Sequence, residues 1–262
     1  DGDGRTDILR IADAPYGWGV WLSNGSNVIQ SSFQGSWPGK DQRFYLGDFN
    51  GDGKTDFFLA NRSGPSDNGW HLFLSTGSNF ERTWYTPWLN SSGGVTTQNS
   101  HTFYPADINA DGMTDMVIVM PDLVTKVYLS DGRNLIASGN LNKDNRYIAA
   151  DNLYPVDANG DGRVDIVTVN RTYEHIIDND SGNGITKITD SGFNVYLSNG
   201  SSLNFSQSVS WPAVTTTVGG IVGDGITKYD NSDIDYKQAD LNGDGQGEFI
   251  AFHQQSSGNR WT

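Results

Sequence analysis

The stretch DFNGDGKTD, residues 48–56, places three carboxylates, one amide and two glycines within nine residues. The same spelling returns as DINADGMTD at 107–115, DANGDGRVD at 157–165 and DLNGDGQGE at 240–248, and the first seven residues, DGDGRTD, follow it from its third letter onward. A tight turn needs only two or three Asp, Asn or Gly residues. The same four oxygen acceptors at fixed offsets, four times over and a fifth time in part, ask for more than a turn: they have the chemistry of a cage for a hard cation.

The five ninth positions are Asp7, Asp56, Asp115, Asp165 and Glu248, spaced by 49, 59, 50 and 83 residues. Each is followed by a short apolar run: ILRIA, FFLAN, MVIVM, IVTVN or FIAFH. A second phrase recurs in four units as WGVWLSNGSNV, WHLFLSTGSNF, TKVYLSDGRNL and FNVYLSNGSSL. In it Trp18, Val20 and Leu22 alternate with Gly19 and Trp21, the period-two pattern of a strand, and the Ser-Asn-Gly-type triplets carry hairpin-turn chemistry. A further strand ends near Trp37, Trp88 or Trp211, positions that suit packing between sheets. Each unit thus reads as strand, acidic loop, strand, connection, strand, tight turn, strand.

Four antiparallel strands per 40–50-residue repeat predict an all-β fold, a β-propeller of four-stranded blades with a calcium loop between the first two strands of each. About four to five blades are expected, as one propeller segment with units near 1–40, 41–98, 99–148, 149–232 and 233–262. The first unit lacks its opening strand and the fifth stops partway, so the segment is expected to belong to a larger ring in a longer parent chain. The fourth unit contains two extra stretches, YEHIIDNDSGNGITKITDSG and VTTTVGGIVGDGITKYDNSDIDYKQ, read as surface excursions built as extended hairpins. Helix signals are nearly absent; NRTYEHIID (170–178) is the nearest.

Composition narrows the function. With no cysteine, thiolate metal sites and disulfides are excluded. A net charge of −14 argues against a nucleic-acid partner, and no apolar run is long enough for membrane insertion as a helix. Fifteen of the 31 acidic residues lie in the five loops, so five divalent cations would bring the charge to about −4. The acidity is local.

Calcium takes six to eight hard oxygen ligands. The loops offer side-chain oxygens at positions 1, 3, 5 and 9 and the carbonyl of position 7: Asp48, Asn50, Asp52, Lys54 and Asp56; Asp107, Asn109, Asp111, Met113 and Asp115; Asp157, Asn159, Asp161, Arg163 and Asp165; Asp240, Asn242, Asp244, Gln246 and Glu248. Asp1, Asp3 and Asp7 supply an incomplete fifth set. Glycine at position 6 permits the sharp turn around an ion. Position 7 varies among Lys, Met, Arg and Gln, as suits a residue lending only its carbonyl. Four to five structural Ca²⁺ ions are therefore expected. Magnesium suits the loop less, and a helix-flanked calcium hand is excluded by the missing helices and the missing Glu at position 12.

On these loops the chain resembles the FG-GAP/VCBS repeat family, the integrin-α-like calcium-binding propellers, over nearly its whole length. The resemblance implies structural calcium in loops between the first two strands of successive blades. The literal Phe-Gly and Gly-Ala-Pro marks are poorly kept, ADAP at 12–15 being the nearest. The phrase GWHLFLSTGSNF also resembles propeller repeats in large secreted bacterial proteins of the toxin-complex and Rhs type.

No catalytic motif accompanies the loops. His71, His101, His175 and His253 have no ligand spacing or triad context, and His71 falls on an alternating strand as a packing residue. Asp178, Asp180, Asp190, Asp233 and Asp235, in the inserted stretches of the fourth unit, are carboxylates that the loops leave free. The reading is a non-enzymatic, secreted or surface-located binding or scaffold module for a protein or glycan ligand. Its alternatives are a lectin with repeated sugar sites between blades and the propeller of a polysaccharide-degrading enzyme.

Overall fold

The computed structural model describes residues 1–13, 16–36, 42–61, 69–89, 101–120, 124–142, 153–177, 184–220, 234–239, 241–244, 246–255 and 258–261. All regular structure among them is β, and every paired strand is antiparallel to its chain neighbour. The chain forms two compact units, residues 1–141 with 200–202, and residues 142–199 with 203–262.

In the first unit, β1 (Ile8–Asp13), β2 (Tyr16–Ser23) and β3 (Val28–Ser36) form a three-stranded sheet. β4 (Gln42–Gly47), β5 (Asp56–Asn61), β6 (Gly69–Ser75) and β7 (Phe80–Thr86) form a four-stranded one. β8 (Thr102–Ala106), β9 (Asp115–Val119), β10 (Thr125–Ser130) and β11 (Leu135–Asn142) pair in the same consecutive order. Successive residues of a strand face opposite sides of its sheet, and β5 shows what that achieves here. Phe57 and Leu59 join Trp18, Phe44, Phe73 and Phe80 in one cluster. Phe58 and Ala60 join Trp70, Leu72, Trp88, Phe103, Met116 and Ile118 in another. All six residues of β5 and all five of β9 are consequently buried, which is why DFFLAN and DMVIV read as unbroken apolar runs after their Asp. The sheets stack face to face, as blades do.

The aromatic residues supply this stacking. Trp70 is fully buried and meets Trp88, Phe103 and Tyr128 edge-on, with centroids 5.7–6.0 Å apart. The Trp88 indole donates to the Asn61 carbonyl at 2.9 Å. Trp88 is therefore a packing residue, as its recurrence suggested; Trp37 and the Trp211 side chain lie outside the description. His71, also buried, stacks on Tyr85 at 4.8 Å.

In the second unit, β12 (Leu153–Val156), β13 (Asp165–Ile177), β14 (Gly184–Ser198) and β15 (Leu203–Gly220) pair consecutively, and β16 (Ile234–Ala239), β17 (Glu248–Gln255) and β18 (Gly258–Trp261) form a three-stranded sheet. Val156, Val167 and Val195 pack with Tyr154, Phe193 and Leu197. The nearest helix candidate is strand: Thr172 to Ile177 pair with Thr189 to Gly184, so the first inserted stretch lengthens the β13–β14 hairpin. The second begins as strand, Val214 to Gly220 pairing along β14, and residues 221–233 lie outside the description.

Candidate metal centre

The loop at 48–56 folds around its first residue. Asp48 Oδ1 accepts the amides of Gly51 and Asp52 at 2.7 and 3.1 Å, and Oδ2 accepts that of Gly53 at 2.8 Å. Asn50 Oδ1 takes the Asp52 amide and Asp52 Oδ1 the Lys54 amide, at 3.1 and 2.9 Å. The loops at 107–115 and 157–165 repeat this wrapping around Asp107 and Asp157. It requires a left-handed backbone at positions 4 and 6: φ is +71° and +80° at Gly51 and Gly53, +74° and +85° at Gly160 and Gly162. Ala110 holds φ +60° at position 4 of the second complete loop, the one non-glycine with positive φ among the described residues.

The ninth position does something the sequence reading did not assign to it. Asp56 is fully buried; its Oδ2 accepts the amide of Phe49 at 2.9 Å, and its Oδ1 that of Ser75 at 2.7 Å. Asp115 does the same with Ile108 and Ser130, and Asp165 with Ala158 and Ser198. Asp7 holds Ser23 at 2.8 Å and the Asp1 ammonium at 2.9 Å. Ser75, Ser130 and Ser198 open the tight turn between the third and fourth strands of their sheets, and Ser23 opens that between β2 and β3. The ninth carboxylate therefore latches two connections of one sheet together at the same end. The signal was present, in that all four turn phrases spell Leu-Ser before the turn, but their amide partners lie 15 to 33 residues upstream.

Position 7 also does more than offer a carbonyl. Lys54 Nζ reaches back to Asp52 Oδ2 at 2.7 Å, and Arg163 and Arg5 pair likewise with Asp161 and Asp3. The Lys54 bonds outweigh partial burial and hold Asp52 below the ordinary carboxylate range. Met113 carries no such charge. Burial, with the charges of Asp52 and Asp48 adding to it, pushes Asp56 up to about 6 against two stabilising amides. Asp115 is likewise pushed up to about 6 by burial and by Asp111 and Asp107, and Asp165 is raised for the same reasons.

Among the described residues no three acidic side chains converge to metal-ligand distance; the carboxylates are turned onto backbone amides. The donor set nevertheless fits a hard cation. It is all oxygen, and an ionised carboxylate has about four lone-pair sites, of which these bonds use one to three. In the fifth loop Asn242 bonds both Asp244 and Glu248, Leu241 donates to Glu248 at 2.6 Å, and Gln246 reaches Asp244; Asp240 lies outside the description.

Successive loops are also tied to one another. The Thr114 amide, at position 8, donates to the Asp48 carbonyl at 2.6 Å, and Thr114 Oγ1 accepts the Asp48 amide at 3.0 Å. In the second unit the Gly247 amide, again position 8, donates to the Asp157 carbonyl at 2.8 Å. Of the carboxylates outside the loops, Asp190 is buried and bidentate with Arg171, at 2.7 and 2.8 Å, a pair that sequence reasoning missed. Asp178, Asp180, Asp233 and the Asp235 side chain lie outside the description.

Antiparallel sheets, stacked face to face in the first unit and each carrying an acidic loop at one end, define an all-β repeat protein. Residues 1–59 and 48–118 match the family model described as FG-GAP-like repeat. None of the curated proteins matches the chain. Among solved structures, a chain of the Photorhabdus luminescens Tc holotoxin pore aligns with TM-score 0.45 and 14% identity, over 99% of this chain and 13% of that one.

Proposed function

We propose that the chain is a calcium-stabilised propeller segment serving as a non-catalytic binding or scaffold module of a larger secreted or surface protein. The observation that carries the reading is the repeated buried ninth-position aspartate, raised to about 6 at Asp56 and Asp115 by burial and neighbouring carboxylates. A divalent cation held by positions 1, 3, 5 and 9 and the position-7 carbonyl would neutralise that repulsion. Its role would be structural: it would secure the loop against the Ser-led turn of the same sheet. The tight packing of His71 and His101 among aromatic rings, and of Asp190 against Arg171, favours scaffold over enzyme. The ligand is proposed to be a protein or glycan.

Thermal melting with chelator and with added calcium tests the metal. Binding to the folded state alone stabilises it by RT ln(1 + [L]/Kd), about 2.7 kcal/mol at a hundredfold excess over Kd. Chelator should lower Tm and calcium restore it, magnesium less effectively. A Tm indifferent to both would remove calcium from the reading.

A further inference from the structure

We propose that the loops at 48–56 and 107–115 are energetically coupled, so that calcium held by either one strengthens its binding at the other. This rests on the calcium reading above. Two ties join the loops, and each runs between residues of the two donor sets. In the first, Thr114 stands between Met113 and Asp115, positions 7 and 9 of one set. Its amide donates to the Asp48 carbonyl at 2.6 Å, and its hydroxyl accepts the Asp48 amide at 3.0 Å. Asp48 is position 1 of the other set and winds its loop by accepting the amides of Gly51, Asp52 and Gly53. An ion that fixes Met113 and Asp115 therefore fixes Thr114, and through it the residue on which the neighbouring loop is built.

The second tie connects the two ninth-position aspartates. Asp115 Oδ1 accepts the Ser130 amide at 2.8 Å, the Ser130 hydroxyl donates to the Phe49 carbonyl at 2.5 Å, and the Phe49 amide donates to Asp56 Oδ2 at 2.9 Å. Asp115, Ser130, Phe49 and Asp56 are all buried, so water is kept from these bonds. Hydrogen bonds linked in such a chain polarise one another. The hydroxyl of Ser130 crosses from the turn of one sheet to the acidic loop of the next, 81 residues upstream.

Packing removes the slack from both ties. A Cβ on Gly47 would lie 2.6 Å from Thr114 Cγ2, and one on Gly51 would lie 3.3 Å from Met113 Cγ. The side chains at positions 7 and 8 of one loop thus rest directly on the main chain of the other. Contacts this close pass a displacement on, because a packed interior has few soft directions in which to absorb it. Chains of packed side chains and hydrogen bonds are what carry energetic coupling between sites. The second unit has a thinner tie: Gly247, at position 8, brings its amide to the Asp157 carbonyl at 2.8 Å and has no hydroxyl to add.

The test is a calcium titration of the whole chain followed by NMR. The amide signals of Gly53 and Gly112, which donate to Asp48 and Asp107, report the two loops separately. Asp111→Ala takes a donor from the loop at 107–115 and should weaken calcium binding at 48–56 by roughly tenfold, within the usual range of coupling between sites. Reciprocity requires Asp52→Ala to weaken binding at 107–115 by the same factor. Asp111 and Asp52 bond only within their own loops among the bonds described, so neither change cuts a tie. With Thr114→Val and Ser130→Ala, which remove both hydroxyls at nearly constant shape, each cross-effect should fall to about twofold or less. Thr114→Ser with Ser130→Thr, which keep the hydroxyls, should retain it. Equal affinity at Gly53 with and without Asp111→Ala overturns the coupling and leaves calcium in place. A cross-effect undiminished by loss of both hydroxyls overturns the roles given to Thr114 and Ser130. Signals of both glycines indifferent to calcium overturn the calcium reading, and the coupling with it. The Asp111→Ala and Asp52→Ala arms decide the coupling even where loss of the hydroxyls unfolds the chain.

Discussion

Asp115→Ala offers the sharpest test of the latch. The side chain is fully buried and accepts two amides, from Ile108 at 3.0 Å and Ser130 at 2.8 Å. Alanine leaves both donors buried without an acceptor, each costing about 1–3 kcal/mol, or roughly 2–6 together. Against this stands relief of the burial and repulsion that raise the Asp115 pKa to about 6, so the loss should fall toward the lower half of that range near pH 7. Asp111→Ala is the control. Asp111 is exposed and bonds only within its loop, to the Met113 amide and the Asn109 side chain, so about 0.5–1 kcal/mol is expected. Urea denaturation of both variants in chelator isolates these terms from metal binding, with unchanged m-values required for the comparison. If the two variants lose equal stability in chelator, the ninth aspartate is only a ligand and the latch argument fails. In calcium the two losses should draw together, because both residues would then be ligands.

The metal-free chain should lose stability as pH rises from about 4 to 6. The folded-state pKa of Asp56 and Asp115, about 6, lies above the free value of 3.8, so the folded state binds more protons across that window, by up to roughly 3 kcal/mol per site. Asp52, Asp131 and Asp161, held low, act oppositely below it; saturating calcium should flatten the decline, as denaturation at stepped pH will show. Ala110→Gly should raise Tm by about 2–4 °C in a thermal melt, since an L-residue at φ +60° costs about 1 kcal/mol. Met113→Lys should shrink the calcium-induced Tm shift by supplying Asp111 with the counter-charge that Lys54 gives Asp52. Asp190→Ala, which strands the half-buried Arg171, should cost about 3 kcal/mol by urea denaturation, and replacing both residues by apolar ones far less.

Most of the sheet plan was legible because stacking buries both faces of β5 and β9, and burial on both faces writes a continuous apolar word directly after a fixed acidic one. The loop residues were legible for a similar reason: their partners lie within five residues. What escaped had distant partners. Nothing near Asp56 announces Ser75, and nothing within 170–178 announces that Thr172 will pair with Thr189 and extend a strand. The alternating charge of position 7 read as indifference, although Lys54 and Arg163 put it to use against the carboxylate two residues back.

The sheet of β12 to β15 separates what must be conserved in geometry from what is free to grow. Its acidic loop, its latch from Asp165 to Ser198 and its link from Asp157 to Gly247 all sit at one end. The added length of β13, β14 and β15 runs out at the other end, beyond Val169 and Phe193. Growth there leaves every bond of the loop in place, so the hairpin is a handle that can be lengthened, shortened or respelled without renegotiating the joint that holds it. Diversity of recognition in such a chain would accumulate at the distal tips, while the loop end stays uniform from sheet to sheet.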